Sequence, residues 1–411
     1  MSVVSEPVVI VVGGTDPVYR GYCVEGASSE HRLVLIDTAA PAGRVAELVL
    51  DHEVADTRDT ASVLAAGLAL AARHEIAGVL TWDEYALLPT AVLTERLGLR
   101  GNSVAAVRAC RDKGTTRRLL AEAGVPSARS VRVSSREEAV LAAARIGYPV
   151  VLKPASHAAS IGVVRVDTPE GFASGWEFAA AGAGEQGPEG SGVLVEEYLD
   201  GPEVSVECVT LAGETVVVAV TRKEIGFAPF FEEVGHTVTA DDPLLPVVAP
   251  VARGALRALG VTDGVQHVEM RLTSSGPRII EVNARIGGDW IGKLVGLATG
   301  LDLPAVATSI AADRTPDLTA VHRASAAVRI VYPPASGILT ERRFPVDGSQ
   351  VREAGWLREP GESVLLPPEG DLSAARIGYL ITSAPTLAEA EAARRDAEEA
   401  IVLDVRASVT A

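Results

Sequence analysis

The sequence predicts an α/β (α+β) chain of more than one domain: a parallel α/β unit first, a region of paired antiparallel strands next, and an α+β region last. Three observations carry this reading. Short apolar strands alternate with helical stretches over residues 1–105, an alternating hairpin closes near residue 285, and strands precede a helix after residue 321. At 411 residues with 47% hydrophobic content, the chain exceeds one ordinary domain and can fill sizeable cores.

In the first region Val8 to Val12, Leu33 to Ile36 and Gly78 to Thr81 read as strands, with helices such as Thr60 to His74 between them. Gly13-Gly14-Thr15 lacks the full G-x-G-x-x-G pattern, so it reads as a tight strand-to-helix turn rather than a phosphate cradle. Lys113 opens the amphipathic helix Thr115 to Ala123, which Gly124-Val125-Pro126 stops. The buried strand Tyr148 to Lys153 leads into the small-residue loop Pro154 to Gly162 and a second strand, Val163 to Val166. Such a loop lets backbone N–H groups wrap a phosphate. The run Ala179 to Gly192 offers little apolar surface and is expected to be a mobile surface loop. Ala327 to Tyr332 and Ile377 to Ile381 read as strands and Leu387 to Ile401 as a helix.

Residues 266–285 form the most informative segment. They alternate around a Ser275-Gly276 turn, and a hairpin register centred there sets Glu269 opposite Glu281, with Asn283 on the same face. Facing anions ~5 Å apart repel by about 3 kcal/mol at an effective dielectric of 20. A chain that keeps them there has use for a cation between them, and hard oxygen donors suit Mg²⁺ or Mn²⁺ carrying nucleotide phosphates. The alternative is a solvated hairpin whose acids never meet. Ile279, Ile280 and Val282 argue against it by marking a buried face.

Of 37 basic residues only four are lysine: Lys113, Lys153, Lys223 and Lys293. In a chain biased to arginine, a retained lysine marks a place where a slim ammonium fits and a planar guanidinium does not. Lys153, at the end of its strand, fits such a phosphate site best, while Lys293 reads as an ordinary helix residue. Trp290 reads as core packing or as part of a pocket wall.

A net charge of −17 disfavours nucleic acid and anionic membrane as partners. It does not exclude ATP, because the surface field is screened beyond ~8 Å. The cysteines Cys23, Cys110 and Cys208 lack metal spacing and read as buried, reduced thiols of a cytoplasmic protein. No signal peptide or membrane span is indicated.

These segments together resemble the ATP-grasp superfamily over essentially the whole chain. The matching order is Asp112-Lys113, Val151 to Pro154 with Ser160 to Val163, Val195 to Leu199 with Gly201 to Glu203, Glu269, and Glu281 to Arg285. The resemblance implies an ATP-grasp fold over residues 106–320, a Rossmann-like domain over 1–105 and a lid-like C-terminal region over 321–411. It implies that Lys113 and Lys153 contact the nucleotide phosphates beside the Ser160 to Gly162 loop. Glu196, Glu197, Tyr198 and Leu199 would meet adenine, and Glu203 the ribose. Glu269, Glu281 and Asn283 would hold the metal.

Within that superfamily three stretches resemble the L-amino acid ligases, which form dipeptides: Glu281 to Asp289, Thr221 to Lys223 with Phe231 to His236, and Ala327 to Gly337. The activity implied is an ATP-dependent, ADP-forming carboxylate–amine ligase acting on two amino acids, or on an amino acid and a related small acid. Arg285 would hold the carboxylate, His236 or Asp289 would orient or deprotonate the amine, and Lys223 would contact phosphate or substrate. Partners are then small molecules, with a homodimer compatible. Two other readings stay open: another ATP-grasp ligase of carboxylase or purine-pathway type, though no Met-Lys-Met biotin motif occurs, and an ATP-binding protein without turnover.

Overall fold

The run Val8–Val12 is buried along its whole length, as befits a parallel sheet covered by helices on both faces. The sheet order is Val49–Val54, Arg32–Asp37, Val8–Val12, Ile76–Leu80, all parallel. The computed structural model describes residues 6–157, 160–184, 192–344, 350–367 and 369–407.

Alternation splits this sheet between two cores. Val8, Ile10, Val12, Val34 and Ile36 face Val63, Leu70 and Leu93 of the outer helices. Val9, Val11, Leu33 and Leu35 face Trp290, Leu294 and Ile310, which also touch Val238 and Val328 of the large sheet. Each such buried aliphatic side chain contributes about 1.5–3 kcal/mol. The sheet's strand ends are thereby fixed against the loop that carries Arg285 and Asp289. Gly13 and Gly14 turn the chain in the left-handed region, and a Cβ on Gly14 would stand 2.6 Å from the Trp82 ring. The turn is less tight than expected, because the helix begins only at Gly21. The intervening residues carry Arg20 toward the interior.

The helix of Lys113 runs Lys113–Glu122, with the Asp112 side chain accepting from Thr115 N at 2.6 Å, a cap worth about 1 kcal/mol. A small antiparallel sheet follows in the order Ser130–Val133, Val193–Glu197, Val150–Pro154, Val164–Val166. The helix Phe172–Gly184 covers it. This corrects the expected loop from Ala179 to Gly192: alanines, strong helix formers, extend the helix to Gly184, and Ala179 is buried against the sheet. Residues 185–191 lie outside the described residues.

The large sheet has eight strands in the order Gly276–Asn283, Gly264–Thr273, Glu203–Leu211, Glu214–Gly226, Glu232–Thr239, Ser325–Val331, Gly378–Ala384, Val351–Trp356. Strands beyond residue 320 therefore continue the sheet that holds the hairpin. The helix Leu245–Ala258 covers the other end of this sheet. The hairpin register is the expected one, with Glu269 opposite Glu281 and His267 opposite Asn283, and Gly276 turning at φ 106°. The C-terminal region adds the helix Leu387–Glu399 and a three-stranded sheet. Together these elements place a parallel sheet at the N-terminus and antiparallel sheets after it, the arrangement that the resemblance to the ATP-grasp superfamily implies.

The three cysteines are buried free thiols. Among the described residues no single helix is long and apolar enough to cross a membrane; the bent pair Ile291–Thr299 and Leu303–Ala311 packs in the core.

Candidate active site

The strand Val150–Pro154 points Lys153 inward, where its Nζ lies 2.6 Å from Glu196 Oε2. Arg117 grips the same carboxylate through Nε at 2.8 Å and NH2 at 3.0 Å. Burial opposes ionisation of Glu196, but Arg117 and Lys153 outweigh it and hold the carboxyl at about 2. Lys153 is shifted down by burial, with Arg117 and Lys113 adding to the effect against the pull of Glu196. One carboxylate thus serves two cations, and Lys153 remains under-neutralised, as suits an ammonium facing a phosphate. Lys113, buried rather than solvated at its helix terminus, donates to His157 O at 2.7 Å and lies 3.2 Å from Glu281.

A cleft of about 960 Å³ opens between the two antiparallel sheets. Lys113, Lys153, Ser160, Glu203, Glu269, Glu281, Asn283 and Arg285 all line it, as do Glu196, Glu197, Tyr198 and Leu199. Two of these differ from the expected adenine contacts. Glu196 is consumed by its ion pairs, and the Glu197 carboxylate turns to Arg129 and Arg278. Along that edge the backbone, Tyr198 and Leu199 remain free of such pairing. Ser160 Oγ donates to Phe231 O at 2.9 Å, closing the small-residue loop onto the strand region of Glu232. Gly162 is left-handed, and a Cβ there would stand 2.8 Å from Pro154. Residues 158 and 159 of this loop lie outside the described residues.

Under the cleft floor Lys223 is surrounded by acids: Glu233, Glu269 at 2.8 Å and Glu203 at 3.8 Å. Burial pushes Glu203 up to about 7, against the pull of Lys223 and of Arg271, whose NH2 is 2.9 Å away. Lys223 spends its charge on the two nearer carboxylates. His267, flanked by Glu207 at 3.0 Å and Glu269 at 3.1 Å, is resisted by burial but raised to about 9 by Glu207. It is therefore a cation at neutral pH. Burial resists ionisation of Glu269, yet Lys223 and His267 hold it well below the usual carboxylate range.

A second chamber of about 970 Å³ adjoins the cleft and shares Ser160, Glu233, Glu269 and Arg285 with it. Arg285 donates to Glu84, which follows the N-terminal parallel sheet, and, at 2.9 Å, to Ile286 O. Burial opposes ionisation of Glu84, but Arg285 and Arg111 hold it at about 2. Asp289 is gripped by Arg376 at 2.7 and 3.1 Å, and Arg376 also donates to Glu232 at 3.0 Å. Burial is outweighed there too, leaving the Asp289 carboxyl well below its usual range.

Lys223 and His236 depart from expectation, since neither side chain has exposed surface to offer a substrate. Lys223 sits beneath its carboxylates, and the His236 ring lies behind Glu233 at 3.2 Å and Asp289 at 3.6 Å. Trp290 is core, stacked on Tyr379 at 4.0 Å and Tyr19 at 4.9 Å. Lys293 is a helix residue paired with Glu353. Sequence reasoning missed Glu84, Arg20, Arg117, Glu232 and Arg376. For Arg20, Glu84 and Arg376 the sequence carries no local signal, because they arrive from the first and last hundred residues of the chain.

Residues 146–293 match the family described as ATP-grasp domain. The chain is 27% identical over 380 residues to the uncharacterised protein y4rH of Sinorhizobium fredii, covering 90% of this chain and 77% of that protein. It is 30% identical over 234 residues to the alanine–anticapsin ligase of Bacillus subtilis, covering 51% of this chain. The match spans about half, 48%, of that ligase's length. The solved L-amino acid ligase from Bacillus licheniformis superposes with a TM-score of 0.81 at 21% identity, covering 98% of this chain and 99% of that one. Solved phosphoribosylglycinamide synthetase and biotin carboxylase share the fold as well. The domain match and the shared fold agree with the cleft's geometry: residues 146–293 match the ATP-grasp domain, and the chain has the ATP-grasp fold and resembles the L-amino acid ligases.

Proposed function

We propose that this protein is an ATP-dependent carboxylate–amine ligase that joins two amino acids, or an amino acid and a related small acid, releasing ADP and phosphate. The observation that supports it most is the junction of two chambers at Arg285 and Glu269. A cleft in which Lys113, Arg117 and Lys153 suit a nucleotide's phosphates opens there into a polar chamber that suits small charged molecules. The relatives named as amino-acid ligases favour amino acids over other acids.

ATP fits the cleft because Lys113, Arg117 and Lys153 outnumber the carboxylates they touch, Glu196 and Glu281. A divalent cation fits beside them. Glu269 and Glu281 present facing carboxylates, and the Asn283 amide stands 3.1 Å from oxygens of Glu281 and Glu84, where its nitrogen can donate to them or, with the amide turned over, its oxygen can complete the set. Mg²⁺ or Mn²⁺ held there would supply charge neutralisation during phosphoryl transfer.

The chain's own residues then act in order. Lys113 and Lys153 hold the phosphates. Arg285 exchanges Glu84 for the donor carboxylate, whose oxygen attacks the γ-phosphorus and displaces ADP. A bare carboxylate is a poor acylating agent, whereas the acyl phosphate carries a good leaving group. The neutral amine nitrogen next attacks the carbonyl carbon, the C–O bond to phosphate breaks, and the departing phosphate takes up the proton that the nitrogen loses. His236, enclosed behind Glu233 and Asp289, acts as a positioning residue that aims those two carboxylates at the amine.

The test supplies ATP, Mg²⁺ and mixed amino acids, with ¹⁸O in the donor carboxylate. ADP and phosphate should form in step with an amide, and the label should appear in phosphate. AMP with pyrophosphate would reject the acyl phosphate, and ADP formed with a carboxylated product would reject the amide.

A further inference from the structure

Four cationic side chains line the second chamber, and three are already neutralised. Arg285 is paired with Glu84, His267 lies between Glu207 and Glu269, and Arg376 is shared by Asp289 and Glu232. The fourth, Arg20, has no carboxylate partner among the described residues; its NH1 donates to the backbone oxygen of Gly287 at 2.9 Å. Asp289 is near enough to feel its charge but is held in two bonds by Arg376. A half-buried guanidinium that faces a chamber without a carboxylate partner is completed by an anion placed there.

Its position is built rather than accidental. Tyr19 stacks on Trp290, and Trp290 Nε1 donates to Val18 O at 3.0 Å. The segment Val18 to Arg20 is therefore docked onto the loop that follows Arg285, and Arg20 reaches over Gly287 into the chamber from the first domain.

Resting on the ligase reading above, the charges of the reaction decide what Arg20 takes. The donor carboxylate is consumed at the phosphoryl group beside Arg285. The acceptor amino acid reacts through its amine and keeps its own carboxylate; with Arg285 engaged by the donor and His267 and Arg376 held by carboxylates, Arg20 is the chamber cation without one among the described residues. We infer that Arg20 binds the α-carboxylate of the acceptor amino acid, and so restricts acceptors to molecules that carry a free carboxylate beside the reacting amine. The planar fork suits that group.

The experiment compares the wild-type enzyme with Arg20→Gln and Arg20→Lys, offering as acceptors the twenty protein amino acids and their C-terminal amides. The wild type should prefer the free acids over the amides by roughly 10- to 150-fold in kcat/KM, the range for one lost hydrogen bond to a charged group. Arg20→Gln should lose that preference through a raised acceptor KM, with ATP and donor KM values unchanged. Arg20→Lys should restore part of it. Damage to the loop alone would lower acids and amides together, and would overturn the assignment. An unaltered acid preference in Arg20→Gln, or in Arg20→Lys no stronger than in Arg20→Gln, would also overturn it. If the wild type forms no amide from any amino acid, the ligase reading itself fails and this assignment goes with it.

Discussion

Glu269 and Glu281 stand opposite one another on adjacent strands, yet each turns to its own lysine: Lys223 at 2.8 Å from Glu269, Lys113 at 3.2 Å from Glu281. Without a bound cation, like charges placed across a strand pair would destabilise the hairpin. Two lysines from separate elements offset the repulsion. The facing acids are thus kept ready without a large cost in stability.

Glu281→Gln follows directly. The amide keeps the shape and can still accept from Lys113, so the melting temperature should stay within a few degrees. Metal-dependent turnover should fall by on the order of 100-fold or more, as when charge stabilisation of a transition state is removed. Mg²⁺ titration of activity beside a thermal melt checks both parts. A well-folded variant with ordinary turnover would sink the metal assignment.

Lys153→Arg tests the meaning of lysine scarcity. The Lys153 ammonium sits in a space closed by Glu196, Arg117 and the Val150–Pro154 strand, where a wider guanidinium does not fit without displacing Arg117. ATP affinity by calorimetry should drop roughly 10-fold or more, since one charged contact is worth about 1.5–3 kcal/mol. Lys293→Arg keeps its pair with Glu353 away from the cleft and should bind ATP as the wild type does. Equal behaviour of the two variants would refute the argument.

How much of this was legible in sequence depends on where each residue's signal lives. The hairpin announces itself, because a period of two forces Glu269, Glu281 and Asn283 onto one face once the turn is placed. Lys113 and Lys153 stood out because lysine is rare here. Arg117 did not, although it shares Glu196 with Lys153, because arginine is abundant in this chain. Glu84 and Arg376 are set by tertiary packing: one follows Asp83 in the first domain, the other lies in the last region, and nothing near either predicts that they meet Arg285 and Asp289. The Ala179 to Gly184 stretch was misread for another reason. Its glycines suggested a loop, while its alanines and the sheet beneath it favoured a helix.

Acid stability should depend on Glu196. Its carboxyl sits at about 2 in the folded protein against an ordinary 4.5, so its contribution is fully present above pH 4.5 and is lost as pH falls from there toward 2. The shift corresponds to about 3 kcal/mol as an upper figure. Urea unfolding at pH 6 and at pH 3 should show a smaller acid loss for Glu196→Gln than for the wild type, although the variant starts less stable at pH 6. Parallel losses in both proteins would remove Glu196 from the account.

Trp290 joins three parts of the chain at one ring. It stacks on Tyr379 of the C-terminal strand and on Tyr19 of the first domain, and donates to Val18 O. It does so from the left-handed backbone region at φ 60°. Trp290→Ala should cost about 3–5 kcal/mol, the usual penalty for emptying a large aromatic site. Trp290→Phe is the more informative change, because it keeps a ring between the two tyrosines and removes only the donor to Val18 and part of the packing. Arg20, at the end of the segment that Trp290 holds, lines the second chamber and not the cleft of Lys113 and Lys153. ATP affinity should therefore stay near the wild-type value while amino-acid KM rises several-fold, a separation that calorimetry with ATP and steady-state kinetics with amino acids can measure. If ATP affinity falls in proportion to the rise in amino-acid KM, Trp290 supports the whole interior and not the second chamber in particular.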